Sequence, residues 1–251
     1  MKRDELVAWL DEYLNVNAIK DVSHNGLQVE SPDEIRKVAF AVDATIASFE
    51  KAVESKADML VVHHGLLWSE PVKLTGPHFT RIKTLIHGNC GLYASHLPLD
   101  LHAEVGNNAQ IAKMLELMNL KPFGEYHGVM IGCGGSLPKP GKLESLVNTL
   151  KIRTGQEPLR VLDFGPSLAS RVAIVSGGAP EFAEAAAHEG YDTYITGDAQ
   201  HQFYHTAYEY KINLVFGGHY ATETFGVKAL EQKVKEKFGL ETVFLDLPTG
   251  L

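Results

Sequence analysis

Two histidines stand side by side in this chain, His63 and His64, directly after the apolar run Met59–Val62 and directly before Gly65. The carboxyl ends of strands are where ligand sites form in α/β sheets, and successive side chains of a strand face opposite ways. A turn at such an end would let each imidazole reach a different metal ion, or leave one pointing away. A second cluster, His219 and Glu223, follows the Gly217-Gly218 turn. Residues four apart share one face if the segment is helical. His96 and Asp100 repeat that spacing, although Pro98 between them works against a helix. Imidazole together with carboxylate suits zinc, iron, manganese or nickel better than calcium or magnesium.

Each cluster has an ordinary reading. A His-His pair after a strand is more often structural, and i,i+4 His/Glu pairs are common on helix surfaces. The joint pattern is what carries weight, because each cluster directly follows a predicted strand. Asp198 and His201, in TGDAQHQ, also follow a strand and are expected to face the same cleft. With His96 they are the candidates for catalytic or substrate-contacting groups. Ser176-Gly177-Gly178, between a strand and a helix, has the composition of an anion cradle, although such a turn needs glycine anyway. Cys133 has no base implied nearby.

The elements that must position these residues alternate along the chain. Short apolar runs read as strands at Val38–Val42, Met59–Val62, Leu92–Ala94, Val129–Ile131, Val161–Leu162, Val172–Val175, Thr193–Ile195, Leu214–Phe216 and Val243–Leu245. Leu6, Val7, Leu10 and Leu14 line a first helix, and Val227, Leu230, Val234 and Phe238 a last one. This alternation predicts an α/β protein with mixed sheets covered by helices.

The chain also resembles itself. Lys2, Leu6, Val7 and Leu10 recur as Lys142, Leu146, Val147 and Leu150, and Val38, Ala39 and Asp58 recur as Val172, Ala173 and Asp192. His96 and Asp100 align with His219 and Glu223. The matches keep their order, which predicts an internal duplication. The expected units are 1–133, holding His63, His64 and Asp100, and 140–251, holding His219 and Glu223. Residues 134–139, inside the Gly- and Pro-dense segment Gly132–Lys142, read as a linker. A metal site drawing on both units is expected in a cleft between them.

Composition bounds the function. Of 251 residues, 45% are hydrophobic and 22% charged, which suits a globular protein with a sizeable core. With 31 acidic residues against 23 basic ones the net charge is -8, which argues against a broad nucleic-acid surface. No apolar run approaches the roughly 20 residues of a membrane-spanning helix. The amino-terminal stretch carries charges where a secretory segment would be apolar. Two distant cysteines argue against a disulfide framework. The expected location is cytoplasmic.

Several motifs together resemble the GTP cyclohydrolase 1 type 2 homologues, the Nif-three-like dinuclear-metal proteins. They are NGLQVE at Asn25–Glu30, AVDAT at Ala41–Thr45, ADMLVVHHG at Ala57–Gly65, SHLPLDLHAEVGNNAQIA at Ser95–Ala112, YITGDAQHQ, and GGHYATE at Gly217–Glu223. The resemblance covers nearly the whole chain and implies the Nif-three-like fold, a homohexamer, and two divalent metal ions per subunit. It implies His63 on one ion with His219, His64 on the other with Asp100, and Glu223 bridging both. It places His96 beside the metals. The family name does not establish an activity. Metal-dependent hydrolysis of a nucleotide or related small molecule is the favoured expectation. The alternatives are a non-catalytic hexameric metal-binding scaffold or metal sensor with a protein partner, and redox chemistry at a di-iron site.

Overall fold

The computed structural model describes residues 1–158 and 160–251. The chain begins with α1 (Arg3–Tyr13), β1 (Gly26–Val29), β2 (Lys37–Asp43), α2 (Ile46–Glu54), β3 (Met59–His64), α3 (Gly76–His87), β4 (Gly91–Ala94) and α4 (Leu97–Asp100). It continues through α5 (Asn107–Met114), β5 (Met118–Tyr126), β6 (Val129–Lys142), α6 (Leu143–Thr154), β7 (Arg160–Asp163) and β8 (Leu168–Ile174). After a short 3-10 turn follow α7 (Ala183–His188), β9 (Thr193–Thr196), α8 (Phe203–Tyr210), β10 (Asn213–Phe216), α9 (His219–Phe238) and β11 (Glu241–Phe244). Among the described residues no helix is long and apolar enough to cross a membrane.

These elements form two compact units, Met1–Val105 with Gly226–Leu247, and Gly106–Phe225 with Pro248–Leu251. The first has a five-stranded sheet in the order β1-β4-β3-β2-β11. Strands β2, β3, β4 and β11 run parallel, and β1 runs antiparallel beside β4. Met59–Val62 are buried throughout, as the apolar run of a strand covered on both faces should be. Leu60 and Val62 pack with Ala39, Ala41, Phe49, Ala52 and Leu85, so α2 and α3 seal the core that holds β3 in place. Thr45 closes a capping box with Ser48 at the start of α2.

The second unit has a six-stranded sheet, β5-β6-β8-β9-β10-β7. Here β8, β9 and β10 are parallel, and β7 is antiparallel beside β10. Its core joins Val172, Ile174, Ile195 and Val215 to Leu146 and Leu150 of α6. The fold is thus mixed α/β with two mixed sheets covered by helices. In each sheet three of the parallel strands follow chain order, β2-β3-β4 and β8-β9-β10, and an earlier strand, β1 or β7, pairs antiparallel with the last of them. The matched pair Asp58 and Asp192 does the same work in each. Asp58 accepts from the N–H groups of Arg36 and Lys37 at 2.8 and 3.0 Å, and Asp192 from those of Ser170 and Arg171, both at 2.9 Å.

The chain divides elsewhere than the linker expected at 134–139, between units at 1–133 and 140–251. Those residues lie inside β6, paired with β5 on one side and β8 on the other. The register shifts between Ser136 and Gly141, so Pro138 and Pro140 fall in a bulge, where a missing N–H is tolerated. The last strand, expected in the second unit, pairs in parallel with β2 and so belongs to the first. Gly106–Phe225, α5 and β5 included, belong to the second unit.

Candidate metal centre

Strand β3 ends at His63 and His64, which the burial of Met59–Val62 fixes in register with β2 and β4. Asp43, the last residue of β2, pairs across the ladder with His64. Its Oδ1 lies 2.8 Å from His64 Nδ1. The fully buried His63 places Nδ1 3.0 Å from the carbonyl oxygen of Ser95. An ionised carboxylate or a carbonyl only accepts, so in each neutral ring Nδ1 carries the hydrogen and Nε2 the lone pair. His63 Nε2 faces Oδ2 of the buried Asp100 at 3.5 Å. Asp100 gets there because LPLD does form one helical turn, with Pro98 in its first turn, where the missing N–H costs nothing.

His96 joins this cluster. Its ring centroid is 5.2 Å from that of His63 and 5.6 Å from that of His64, and one ring nitrogen of each of the three lies within 4.8 Å of the others. Its Nδ1 is held by Asp21 Oδ1 at 3.0 Å. Asp21 also accepts from the N–H groups of Ser23 and Leu97 and from the Asn25 amide. Burial disfavours its charge, but the His96 hydrogen bond and charge and the further donors outweigh that and hold its pKa down at about 2. Beneath the His-His turn, Gln28 accepts from the N–H groups of Leu66 and Leu67 at 2.7 and 3.3 Å. A side chain on Gly65 would collide with Gln28 and Ala94, so this turn requires glycine. Trp68 meets the His96 ring edge-on at 5.2 Å.

The second unit repeats the arrangement at the start of α9. His219 Nδ1 lies 3.0 Å from Asp198 Oδ1, and its Nε2 lies 3.2 Å from Oε1 of the buried Glu223. Gly177 and Gly178 make room for this group. A methyl on Gly177 would strike Glu223 Oε1, and one on Gly178 would press on Asp198. The SGG segment is therefore clearance for side chains and not an anion cradle. The N–H groups of Ser176, Gly177 and Ala179 already donate to Asn108, Thr222 and Thr196.

Asp198 therefore acts on His219, as its place after β9 predicts. His201 does not join it and lines a separate pocket with Arg160, Tyr204 and His205. The cause is the turn after Asp198, which carries the next residues toward α8. Cys133 is no nucleophile at neutral pH, since burial pushes its thiol up to about 11. Sequence reasoning missed Asp21, Asp43, Gln28 and Trp68 as contributors. Asp43 and Gln28 sit inside motifs noticed for other reasons, AVDAT and NGLQVE, and that was their only signal.

The donors present fit transition-metal ions. Imidazole Nε2 and carboxylate oxygens are the donor atoms, and each ring is oriented through Nδ1 by an oxygen, as metal-binding histidines are. Two ligands about 2.1 Å from one ion at a tetrahedral angle stand about 3.4 Å apart. The His63–Asp100 and His219–Glu223 separations, 3.5 and 3.2 Å, bracket that value.

The Duf34/NIF3 (NGG1p interacting factor 3) family model matches residues 1–249. The chain is 47% identical over 250 residues to the GTP cyclohydrolase 1 type 2 homolog of Deinococcus radiodurans, across 99% of this chain and 94% of that one. It is 45% identical over 251 residues to the protein of the same name from Pyrococcus abyssi, across the whole of both. A crystal structure from Thermus thermophilus matches with a TM-score of 0.92 at 43% identity, covering 100% of both chains.

Proposed function

This chain belongs to the Duf34/NIF3 family, and from that premise we propose that it is a dinuclear metal-dependent hydrolase acting on a nucleotide or related small molecule. His63, His64, Asp100, His219 and Glu223 are the proposed ligands, with Glu223 shared by both ions. The observation that carries this reading is that four histidines each have Nδ1 tied to an oxygen, with Nε2 of two of them facing a carboxylate. The resemblance pairs Asp100 with His64, and the separation of 3.5 Å ties it to His63.

Bound divalent ions supply Lewis-acid polarisation and acidify water, the chemistry that hydrolases of this kind use. The protein's own groups do the rest. Asp43, Asp198 and the Ser95 carbonyl lock three imidazoles in orientation before any ligand arrives. His96 is the proposed proton carrier, because Asp21 holds its Nδ1 and leaves Nε2 to take and return a proton. The test is metal analysis of freshly purified protein, followed by a screen of nucleotides with zinc, iron, manganese or nickel restored. Two ions per chain and phosphate or base release from one nucleotide class support the proposal. A homohexamer is the proposed assembly, on the family resemblance.

The deep burial of His63 and Glu223 favours one second reading, a metal site that stabilises a non-catalytic scaffold or sensor. Metal binding would then contribute directly to folding free energy.

A further inference from the structure

The second unit holds a pocket of about 410 Å³ that none of the proposed ligands lines. Its position follows from the sheet. Strand β7 pairs with β10 so that Arg160 sits opposite Phe216, and buried Leu162 and Phe216 supply apolar wall. The residues after Asp198 bring His201, Tyr204 and His205 to the rim. Arg160 and these three are solvent-exposed.

Three observations point to an anion with an aromatic part. Arg3 is surrounded by Asp4, Glu30 and Asp33, whereas among the described residues no carboxylate pairs with Arg160. The guanidinium and two imidazoles, those of His201 and His205, line the same pocket on a chain of net charge -8. Second, the His201 and His205 rings stand 6.1 Å apart and perpendicular, which gives the pocket that Arg160 lines two further N–H donors. Third, Tyr204 is braced edge-on by Phe164 at 5.1 Å and by His205 at 5.5 Å, so a ring at the rim is held in place.

We propose that this pocket binds a nucleoside monophosphate, with Arg160, His201 and His205 on the phosphate and Tyr204 against the base. A guanidinium fork matches phosphate oxygens, and base–aromatic stacking is sequence-tolerant. The volume is within the range of small-ligand sites. The choice of a nucleotide rests on the hydrolase reading above, but the recognition of phosphate does not.

The test reads binding and not turnover, so that its failure is separate from failure of the metal reading. The full-length protein, metal-loaded and metal-stripped, is titrated calorimetrically with a purine nucleoside monophosphate, the corresponding nucleoside, and inorganic phosphate. The nucleotide should bind both forms, and the nucleoside at least about tenfold more weakly. Arg160→Gln should weaken the nucleotide at least about tenfold and leave the nucleoside's affinity and the metal content unchanged. Tyr204→Ala should weaken nucleotide and nucleoside alike and leave phosphate unaffected. Equal binding of nucleotide and nucleoside, an unchanged titration in Arg160→Gln, or no nucleotide binding at all would overturn the proposal. Metal binding by the same samples judges the hydrolase reading independently.

Discussion

Asp43 Oδ1 and His64 Nδ1 stand 2.8 Å apart across paired positions of β2 and β3. The carboxylate contributes no proposed metal ligand, yet it decides which nitrogen of His64 can bind one. Asp198 does the same for His219. Each sheet thus supplies an imidazole together with the group that orients it.

Asp43→Asn and Asp198→Asn should each weaken metal binding by about 10–100-fold without unfolding the protein, the usual cost of removing an orienting partner. Chelator competition followed by metal analysis measures this. An affinity equal to that of the parent protein would show that the two aspartates do not set the histidines.

Gly177 separates clearance from backbone strain. Its φ is +68°, and a methyl there would strike Glu223. Gly128 has φ +83° with nothing within 4 Å. Gly128→Ala should cost only the left-handed conformation, about 1–2 kcal/mol. Gly177→Ala should add about 1–3 kcal/mol of overpacking and lower metal content as well. Denaturant unfolding and metal analysis of both variants check the contrast.

Asp21 predicts a pH dependence. Its pKa is held near 2 in the folded state, below the ordinary 3.8, so its charge stabilises the fold above about pH 4. That contribution, about 2 kcal/mol, is lost as pH falls toward 2. Asp21→Asn should therefore be destabilised at pH 7, and its deficit should shrink between pH 4 and pH 2. A deficit independent of pH would assign the effect to packing instead of charge.

Much of this was legible in the residues because it is local. The strands around His63 and His64 declare themselves by apolar runs, and His219 with Glu223 by helical spacing. The Asp58/Asp192 match correctly picked out two residues with one structural task. What escaped was non-local. Asp21 and His96 are 75 positions apart, and no spacing rule links them. The last strand has the sequence position of the second unit's end, and only its pairing with β2 places it in the first. The stretch at 134–139 has loop composition, but Pro138, with Pro140 just beyond it, sits in a bulge of a strand that pairs on both sides.

Assembly and stability separate the enzyme from the scaffold. For a catalytic centre, His64→Ala should abolish turnover while light scattering still reports a hexamer of 27.5 kDa chains. For a structural centre, the same variant should lower the melting temperature and loosen the oligomer. A stable monomer in the parent protein would remove the hexamer from the account.

The most direct measurement is the metal content of Glu223→Gln beside the parent protein and His64→Ala. A carboxylate shared by two cations offsets their repulsion, so its loss should empty both sites, whereas His64→Ala should release mainly one ion. The parent should hold two ions per chain, His64→Ala about one and Glu223→Gln close to none. A Glu223→Gln protein that keeps two ions per chain would contradict this.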